Sequence, residues 1–174
     1  MSYSMDAEQL RSLQAPLKEK YRQQPEVAQI TLRAEGRLGQ GVTCKIETGK
    51  APVTAGLHPA TGGDGLSACS GDMLLEALVG CAGVTLNAVA TALGIQLREA
   101  KVRAEGDLDF RGTLGVSKDV PVGFERIRLR FYLDTDATAE QVATAIRLTE
   151  RYCVVYQTLK RQAKIDVEYR LASG

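Results

Sequence analysis

Strand-like alternation of apolar and polar side chains marks five segments of the chain: 29–35, 42–47, 101–110, 125–133 and 165–171. Apolar residues occupy every second position, which predicts strands with one buried and one wet face, as in antiparallel sheets. The first two strands flank the Gly-rich segment 36–41 and are expected to form a hairpin. In the third strand the charged residues, among them Glu105 and Asp109, are expected to face water.

The segment 72–93 carries apolar or small residues on nearly every side, which predicts a long helix that must be covered on nearly every side. Ser67 or Ser70 is expected to cap it, Asp72 lies in its first turn, and Gly94 is a natural left-handed terminator. One sheet face and one partner helix would leave part of this helix in water. The pattern therefore predicts an obligate homodimer with the central helices at its interface.

Two further helices are predicted on either side of this central helix. Segment 6–24 predicts a surface helix, and Pro16 within it leaves open one kinked helix or two short turns. Thr138 and Gln141 form a capping box, which opens a helix expected to extend to about Lys160 and to carry Cys153 near its C-terminal end.

The remaining segments, 48–69 and 111–123, predict loops. The first is rich in Gly, Pro, Thr and Ala, with a short strand near Val53 or disorder as the open alternatives. The element order is helix, strands, buried helix, two strands, helix and strand. This order predicts an α+β fold.

Composition narrows the classes of function. The 174 residues include 22 Lys and Arg against 21 Asp and Glu, and aromatic residues make up 5% without any Trp. This balance argues against binding to nucleic acid or to anionic membranes. The apolar run 77–93 is shorter than the roughly 20 residues of a membrane span and is interpreted as a buried helix. The N-terminus lacks the pattern of a secretory signal, so a cytoplasmic protein is expected.

The four cysteines, at positions 44, 69, 81 and 153, are expected to be reduced in such a compartment. No two of these cysteines form a CxxC motif, and His58 is the only histidine. Zinc sites usually need clustered Cys and His ligands, so no metal site is expected. Cys44 fits a strand packing position, and Cys69 precedes the central helix, whose positive end lowers a thiol pKa. His58 is interpreted as an ordinary loop residue, with the mouth of a pocket as its alternative.

Cys81 and Cys153 lie on two long helices that are expected to pack together. Two such cysteines can form a disulfide if their Cα atoms come within about 7 Å. Small neighbours surround Cys81, and the apolar side chains on its helix face suit an alkyl chain. Reduction of a peroxide needs such a pair, since one thiolate attacks the O–O bond and a second thiol condenses with the sulfenic acid. A cation is expected to lower the pKa of the attacking thiol.

Two stretches of sequence resemble the OsmC/Ohr family, named for osmotically inducible protein C and organic hydroperoxide resistance protein. Segment 70–81 is similar to the helix of its reactive cysteine, and segment 150–159 resembles its second-cysteine helix, usually written Cys-Pro-Val. Segment 121–127 and the capped helix after Asp136 also resemble the family. The resemblance covers a domain of residues 29–174, with residues 1–28 as an N-terminal helical extension, and implies antiparallel sheets around a buried central helix in an intertwined homodimer.

The resemblance also implies the roles of site residues. Cys81 corresponds to the peroxidatic thiol and Cys153 to the resolving thiol. Arg37, in the predicted Gly-rich turn, corresponds to the arginine that stabilises the thiolate, with Arg33 as the alternative. Asp72 occupies the acidic position. On a straight helix it lies on the face opposite the cysteine, so dipole and catalytic roles both stay open, with Glu76 as the other candidate acid.

The sequence departs from the family at Val154, where the usual residue is Pro. This departure is expected to alter the position in which the second helix holds Cys153. The implied activity is reduction of organic hydroperoxides, with an external dithiol, for instance of the lipoyl type, as reductant. No metal, flavin or nucleotide cofactor is implied. Two rival interpretations stay open: a non-enzymatic ligand binder or redox sensor of the same fold, and a structural dimer with inert cysteines.

Overall fold

The computed structural model describes residues 7–38, 44–46, 55–66, 68–161 and 163–171. Five helices and six strands follow one another in the described chain. The helices are α1 (Ala7–Gln23), α2 (Ser70–Ala92), α3 (Phe110–Thr113), α4 (Ala139–Tyr152) and α5 (Val154–Arg161). The strands are β1 (Gln29–Leu38), β2 (Cys44–Ile46), β3 (Ala55–Gly56), β4 (Ala68–Cys69), β5 (Glu99–Asp109) and β6 (Arg126–Asp134). The predicted α+β class is confirmed.

A four-stranded antiparallel sheet in the order β2-β1-β5-β6 forms one layer. The hairpin of β1 and β2 is confirmed, and Val102 at the middle of the sheet pairs with Gly36 on one side and Phe131 on the other. Strands β3 and β4 form a separate parallel pair of two residues each. They lie inside the segment that the sequence predicts as a loop, whereas Val53 lies outside the described residues.

Helix α2 lies across the sheet and forms the centre of the core, as predicted. Its buried residues are Leu75, Leu78, Val79, Ala82, Gly83, Leu86 and Ala90. They pack against the inward side chains of β5, including Val102 and Ala104, and against α4 through Ala145. By length and composition α2 would be able to cross a membrane, but half of its most apolar stretch is buried inside the fold.

Part of α2 is uncovered in the single chain, as the sequence predicts. Met73, Leu74 and Val84 expose 36–39% of their surface, so one apolar side of the helix lacks a partner among the described residues. The predicted caps differ: Cys69 is the N-cap and makes no side-chain capping bond, while Ser70 is the first helical residue. Ser67 lies outside the described residues. Gly94 has φ of 68°, the left-handed conformation predicted for it.

Helix α1 runs continuously through Pro16, which selects one helix from the two predicted alternatives. Its C-terminal turn places Tyr21 in the core, where the phenol donates a 2.6 Å hydrogen bond to the carbonyl of Ala60. This bond attaches α1 to the short 3-10 helix Pro59–Thr61 and hence to the segment before α2.

The charged face of β5 is not simply wet, which corrects the prediction for Glu105 and Asp109. Glu105 is 8% exposed and Asp109 is 1% exposed. Arg130 and Arg128 of β6 form ion pairs with Glu105. The Nε of Arg111 donates a 2.9 Å hydrogen bond to Oδ2 of Asp109. Long arginine side chains cover the carboxylates while neutralising them, so alternation alone could not predict their burial.

The capping box at Thr138 and Gln141 is confirmed, but the helix that it opens is shorter than predicted. Helix α4 ends at Tyr152, Cys153 has φ of −71° and ψ of 109°, and α5 begins at Val154. Cys153 therefore lies in a break between two helices and not inside one. The break forms although the residue after Cys153 is Val.

The predicted fifth strand at 165–171 is wrong for the isolated chain. Residues 163–171 form no described strand, and Ile165, Val167, Tyr169 and Leu171 each expose 84–87% of their surface. A strand requires an edge to pair with and apolar surface to cover, and in the described part of the chain this segment pairs with neither outer strand of the sheet, β2 or β6.

Candidate functional site

The break between α4 and α5 brings Cys153 next to Cys81 on α2. Cys153 is 1% exposed and belongs to the core, whereas Cys81 is half-buried. Both are free thiols, and their side chains are in hydrogen-bond contact with each other. The structure thus places the two sulfurs that the sequence singled out side by side in the core.

Uncharged donors surround the sulfur of Cys81. Burial raises the pKa of this thiol, but hydrogen bonding outweighs burial and holds the pKa below its ordinary value. The donors are the backbone N–H groups of Val155 and Val154 and the Cys153 thiol. The Thr85 hydroxyl, one turn further along α2, lies next to the sulfur but donates its proton to the Cys81 carbonyl at 2.7 Å.

The pKa of the Cys153 thiol is shifted in the opposite direction. Burial raises the pKa of its thiol to about 11, and the neighbouring Cys81 sulfur adds to this, although the backbone N–H of Tyr156 opposes the rise. Cys81 is therefore the thiol that ionises first. Cys153 stays protonated at neutral pH and can donate its S–H to the thiolate.

Side chains of α5 hold this helix against α4 across the break. Gln157 Nε2 donates a 2.7 Å bond to the Glu150 carbonyl, and the Tyr156 phenol donates a 3.2 Å bond to the Glu150 carboxylate. Glu150 thereby accepts bonds from two successive residues of α5. The orientation of α5 relative to the cysteines is fixed by these bonds.

An apolar groove of about 510 Å³ lies between β6, α2 and α5, and neither cysteine lines it directly. Its apolar lining is Leu78, Phe124, Ile127, Leu129, Phe131, Tyr156 and Leu159. Leu78 is three residues before Cys81 on α2, and Tyr156 is three residues after Cys153. The site therefore combines an ionisable thiol with adjacent apolar surface.

The predicted thiolate-binding arginine does not lie in a turn. Arg37 belongs to β1, where its backbone pairs with Lys45 of β2 and Lys101 of β5, and Arg33 lies in the same strand opposite Glu105. The strand extends through 36–38 because partners are present on both sides. Residues 39–41 of the predicted turn lie outside the described residues. The side chains of Arg33 and Arg37 also lie outside the description. Their proposed role stays a prediction.

Asp72 lies in the first turn of α2, as predicted, beside His58 and Glu76. Burial raises the pKa of Asp72, and nearby His58 lowers it to a smaller extent. Burial is the main cause that raises the pKa of Glu76, and the negative charge of Asp72 raises it further. The His58 ring stacks on Phe110 at 5.0 Å between centroids, and its Nδ1 accepts the Ala60 N–H. Among the described residues, the charges that act on this acidic pair are His58 on Asp72 and Asp72 on Glu76, and neither carboxyl is among the groups that act on the Cys81 thiol.

Sequence reasoning did not identify the backbone groups of Val154 and Val155 as part of the site. The only signal was a pair of β-branched residues, which have a slightly reduced helix propensity. Thr85 lies on the helix face of Cys81, for which the sequence predicts an apolar wall and no hydrogen-bond donor.

Comparison with known proteins identifies the fold and the family. A model of the family described as OsmC-like protein matches residues 62–168. Comparison with curated protein sequences gives no match. The crystal structure of an OsmC-like hydroperoxide resistance protein from Jannaschia sp. CCS1 is similar with a TM-score of 0.59 and 14% identity, over 84% of this chain and 97% of that chain.

A second solved structure, an OsmC-like protein from Mycoplasma pneumoniae, is similar with a TM-score of 0.54 and 16% identity, over 77% of this chain and 86% of that chain. At these identities the structural likeness shows the fold, with its sheet and central helix. The family match spans 62–168, which contains both Cys81 and Cys153 and more than half of the 174 residues. The chain belongs to the OsmC-like protein family.

Proposed function

We propose that the protein is a thiol peroxidase that reduces organic hydroperoxides to alcohols through Cys81 and Cys153. The observation that carries the proposal is the contact of a thiol of lowered pKa with a second, buried thiol of raised pKa. One sulfur is ready to act as a nucleophile, and the other is held protonated within reach. The description of the Jannaschia relative as a hydroperoxide resistance protein supports the same chemistry.

The reaction proceeds in three balanced steps. The Cys81 thiolate attacks the distal peroxide oxygen, the O–O bond breaks, and the departing alkoxide takes a proton to become the alcohol. The Cys153 thiol then condenses with the Cys81 sulfenic acid, which forms the disulfide and releases water. An external dithiol, for instance of the lipoyl type, reduces this disulfide by exchange and becomes oxidised itself. No metal, flavin or nucleotide takes part, and the reaction belongs in the reducing cytoplasm.

Organic hydroperoxides are the proposed substrates because the groove beside Cys81 is lined mainly by apolar side chains. Burial of an alkyl or aryl group there contributes about 25 cal/mol per Å² of apolar surface removed from water. Hydrogen peroxide has no such group. Purified protein should therefore turn over cumene hydroperoxide faster than hydrogen peroxide, and equal rates would contradict this part of the proposal.

Cysteine substitutions test the catalytic assignment. Cys81→Ser should abolish peroxidase activity with a dithiol reductant, because a serine hydroxyl is not ionised at neutral pH. Cys153→Ser should give one turnover and then accumulate a sulfenic acid that dimedone traps. Cys69→Ser is the matched control, since Cys69 is a free, half-buried cysteine at the start of α2, and this variant should keep full activity.

The apolar groove also favours one alternative, a binder of hydrophobic ligands without peroxidase activity. Mass spectrometry after one equivalent of cumene hydroperoxide separates the two functions. The enzyme should form a disulfide between Cys81 and Cys153. A ligand binder should keep both thiols reduced while showing saturable affinity for an apolar fluorescent probe.

Arg37 is proposed as a further group that stabilises the thiolate, on the strength of the family resemblance, with Arg33 as the alternative. Asp72 is proposed as the acid that orients this arginine. If these roles hold, Arg37→Ala should raise the pKa of Cys81 more than Arg33→Ala does. Asp72→Asn should then have the smaller effect of an indirect contact. An unchanged thiol pKa in Arg37→Ala would remove Arg37 from the site.

We propose that the working unit is an intertwined homodimer. Two exposed apolar features of the single chain support this: the uncovered side of α2 and the segment 163–171. Sedimentation should give twice the 18.8 kDa mass of the chain. Val84→Glu on α2 should weaken association, whereas Ala143→Glu, on an exposed position of α4, should leave it intact. A monomer of full activity would overturn the proposal.

A further inference from the structure

The break at Cys153 interrupts a segment whose sequence favours one continuous helix. Helix α4 ends at Tyr152, Cys153 has an extended ψ of 109°, and α5 begins at Val154. Sharp breaks arise at Pro, at Gly, or where a side chain enters the ladder of backbone hydrogen bonds. Segment 150–159 contains neither Pro nor Gly, so a side chain is the remaining explanation.

The side chain of Gln157 enters the ladder at this point. In a continuous helix, the N–H of Val154 would donate to the carbonyl of Glu150, four residues earlier. At the break, this carbonyl instead accepts a 2.7 Å hydrogen bond from Nε2 of Gln157. The carbonyls of the last turn of a helix have no donor in their own helix, so Gln157 supplies a donor that the break removes.

Gln157 is bonded to the chain on both sides of the break. Its backbone N–H donates to the carbonyl of Cys153 at 2.9 Å, while its side chain reaches Glu150, three residues before Cys153. The N–H of Cys153 donates to the carbonyl of Thr149 at 2.9 Å. The Tyr156 phenol adds a longer bond of 3.2 Å to the Glu150 carboxylate. The residue that carries the resolving sulfur is therefore bonded to both helices.

We propose that Gln157 is a positioning residue for the resolving thiol, with its side-chain amide maintaining the helix break that places the Cys153 sulfur next to Cys81. The inference rests on the proposed function, in which Cys153 condenses with a sulfenic acid at Cys81. In that step the S–S bond forms, the S–O bond of the sulfenic acid breaks, and its hydroxyl leaves as water with the Cys153 proton. The rate of such a step depends on how well the two sulfurs are aligned.

A continuous helix would change the surroundings of the Cys153 sulfur. At the break, the N–H of Tyr156 donates to this sulfur at 3.5 Å. In a continuous helix the same N–H would donate to the carbonyl of Tyr152. Cys81 belongs to α2 and attacks the peroxide before Cys153 reacts. Loss of the Gln157 side-chain bond should therefore slow the second step and leave the first step unchanged.

The test measures both steps in one experiment. Reduced protein is mixed with one equivalent of cumene hydroperoxide in the presence of dimedone, and the cysteine peptides are followed by mass spectrometry. The loss of free Cys81 thiol measures the first step, and the ratio of dimedone adduct to disulfide measures the second. Gln157→Met has a similar length but no donor. We expect it to keep the wild-type rate of Cys81 oxidation and to raise this ratio about threefold to tenfold, the effect of one lost hydrogen bond.

Two further variants separate the donor from other effects of substitution. Gln157→Lys restores an N–H donor near the last carbonyls of α4 and should return the ratio to the wild-type value. Thr158→Val is the matched control. Thr158 is exposed, and its hydroxyl donates to the carbonyl of Val154 at 2.8 Å within α5, so this bond does not cross the break. Thr158→Val should leave both steps unchanged.

Equal ratios for the wild type and folded Gln157→Met would overturn the inference. A ratio for Gln157→Lys as high as that of Gln157→Met would also overturn it, because the donor would then have no effect. If Gln157→Met does not fold, Gln157→Asn takes its place, since its amide is one methylene shorter and does not reach Glu150.

Failure of the proposed function gives a different result. A wild-type protein that does not react with the hydroperoxide is not a peroxidase, but diamide can still join its two thiols, as it oxidises them to a disulfide and is itself reduced to the hydrazine. The rates of disulfide formation with diamide should then rank the variants in the same order. Equal rates for the wild type and Gln157→Met with diamide would overturn the positioning role.

Discussion

The ring of Phe124 lies directly over the backbone of Gly106 in the middle of β5. A Cβ atom added at residue 106 would come within 2.5 Å of Cε1 of that ring. Phe124 also lines the apolar groove beside the thiols. The ring of Phe124 can therefore pack this close to β5 only because residue 106 has no side chain.

Gly106→Ala should consequently displace Phe124 and reshape the groove. We expect a loss of about 1–3 kcal/mol in the free energy of unfolding, as in other overpacked sites, and a weaker apparent affinity for cumene hydroperoxide. The pKa of Cys81 should not change. Gly123→Ala is the control because a Cβ there meets nothing within 4 Å, and it should change stability by less than about 0.5 kcal/mol. Equal effects of the two substitutions would contradict this account.

The two thiols should titrate separately. Alkylation of Cys81 should have a midpoint below the ordinary thiol pKa, whereas Cys153 should react only as the pH approaches its pKa of about 11. The physical reason is that Cys81 receives several hydrogen bonds, while Cys153 is buried beside another sulfur. Peptide-resolved mass spectrometry at a series of pH values measures both. Labelling of Cys153 before Cys81 would reverse the assignment of nucleophile and resolving thiol.

Cys153 has a structural role as the N-terminal cap of α5, and serine should preserve it. In Cys153→Ser the hydroxyl can still accept the N–H of Tyr156, so stability under reducing conditions should stay within about 0.5 kcal/mol of the wild type. Cys153→Ala lacks any acceptor and should lose about 0.5–1 kcal/mol more. Urea unfolding with a reductant present measures the difference. Identical stabilities for the two variants would exclude a capping role for the sulfur.

Arg111 should be more important for stability than its position at the surface suggests. Burial raises the pKa of Asp109, but the bonds from Arg111 outweigh burial and hold it below the ordinary value. Arg111→Ala would leave this buried carboxylate without its cationic partner, with the backbone N–H of residue 111 as its remaining described donor, at a cost of about 3 kcal/mol. Asp109→Asn combined with Arg111→Ala should be less destabilised than Arg111→Ala alone, since no charge is left. Urea unfolding measures all three proteins.

The pH dependence of stability should change sign in Arg111→Ala. In the wild type, the contribution of Asp109 is present above the unfolded pKa of about 3.9 and is lost as the pH falls through the lowered folded pKa. In Arg111→Ala the side-chain bonds are lost and only the backbone N–H of residue 111 still opposes burial, so the folded pKa should rise above the unfolded one and protonation should relieve the penalty as the pH falls toward about 4. A variant that loses stability on acidification in parallel with the wild type would contradict this.

Local patterns predicted most of the fold. The apolar length of α2, the glycine at position 94 and the capping box at Thr138 each act through nearby residues, and each is present as expected. The helix break at Cys153 was not predictable because segment 150–159 contains neither Gly nor Pro. The burial of Glu105 depends on arginines from another strand, which a one-strand pattern does not reveal.

The candidate site was predictable only in part. Packing of two long helices was enough to anticipate that Cys81 and Cys153 would meet. The donors that act on Cys81 include backbone N–H groups of α5. Every residue except Pro has such a group, so the amino-acid sequence does not show which of them will be available to a thiol. The segment 165–171 has the alternation of a strand, yet it pairs with no described strand, because alternation does not specify which edge a strand joins.

The sulfur of Cys153 is at once a helix cap and a proposed partner in a disulfide. Once bonded to another sulfur, it is a poorer acceptor for the N–H of Tyr156, so oxidation should loosen the beginning of α5. Hydrogen–deuterium exchange at the Tyr156 amide would then be faster in the oxidised protein than in the reduced one. The conformation of the first turn of α5 would then depend on whether the buried disulfide is present. A reductant could bind the oxidised protein selectively through this loosened turn.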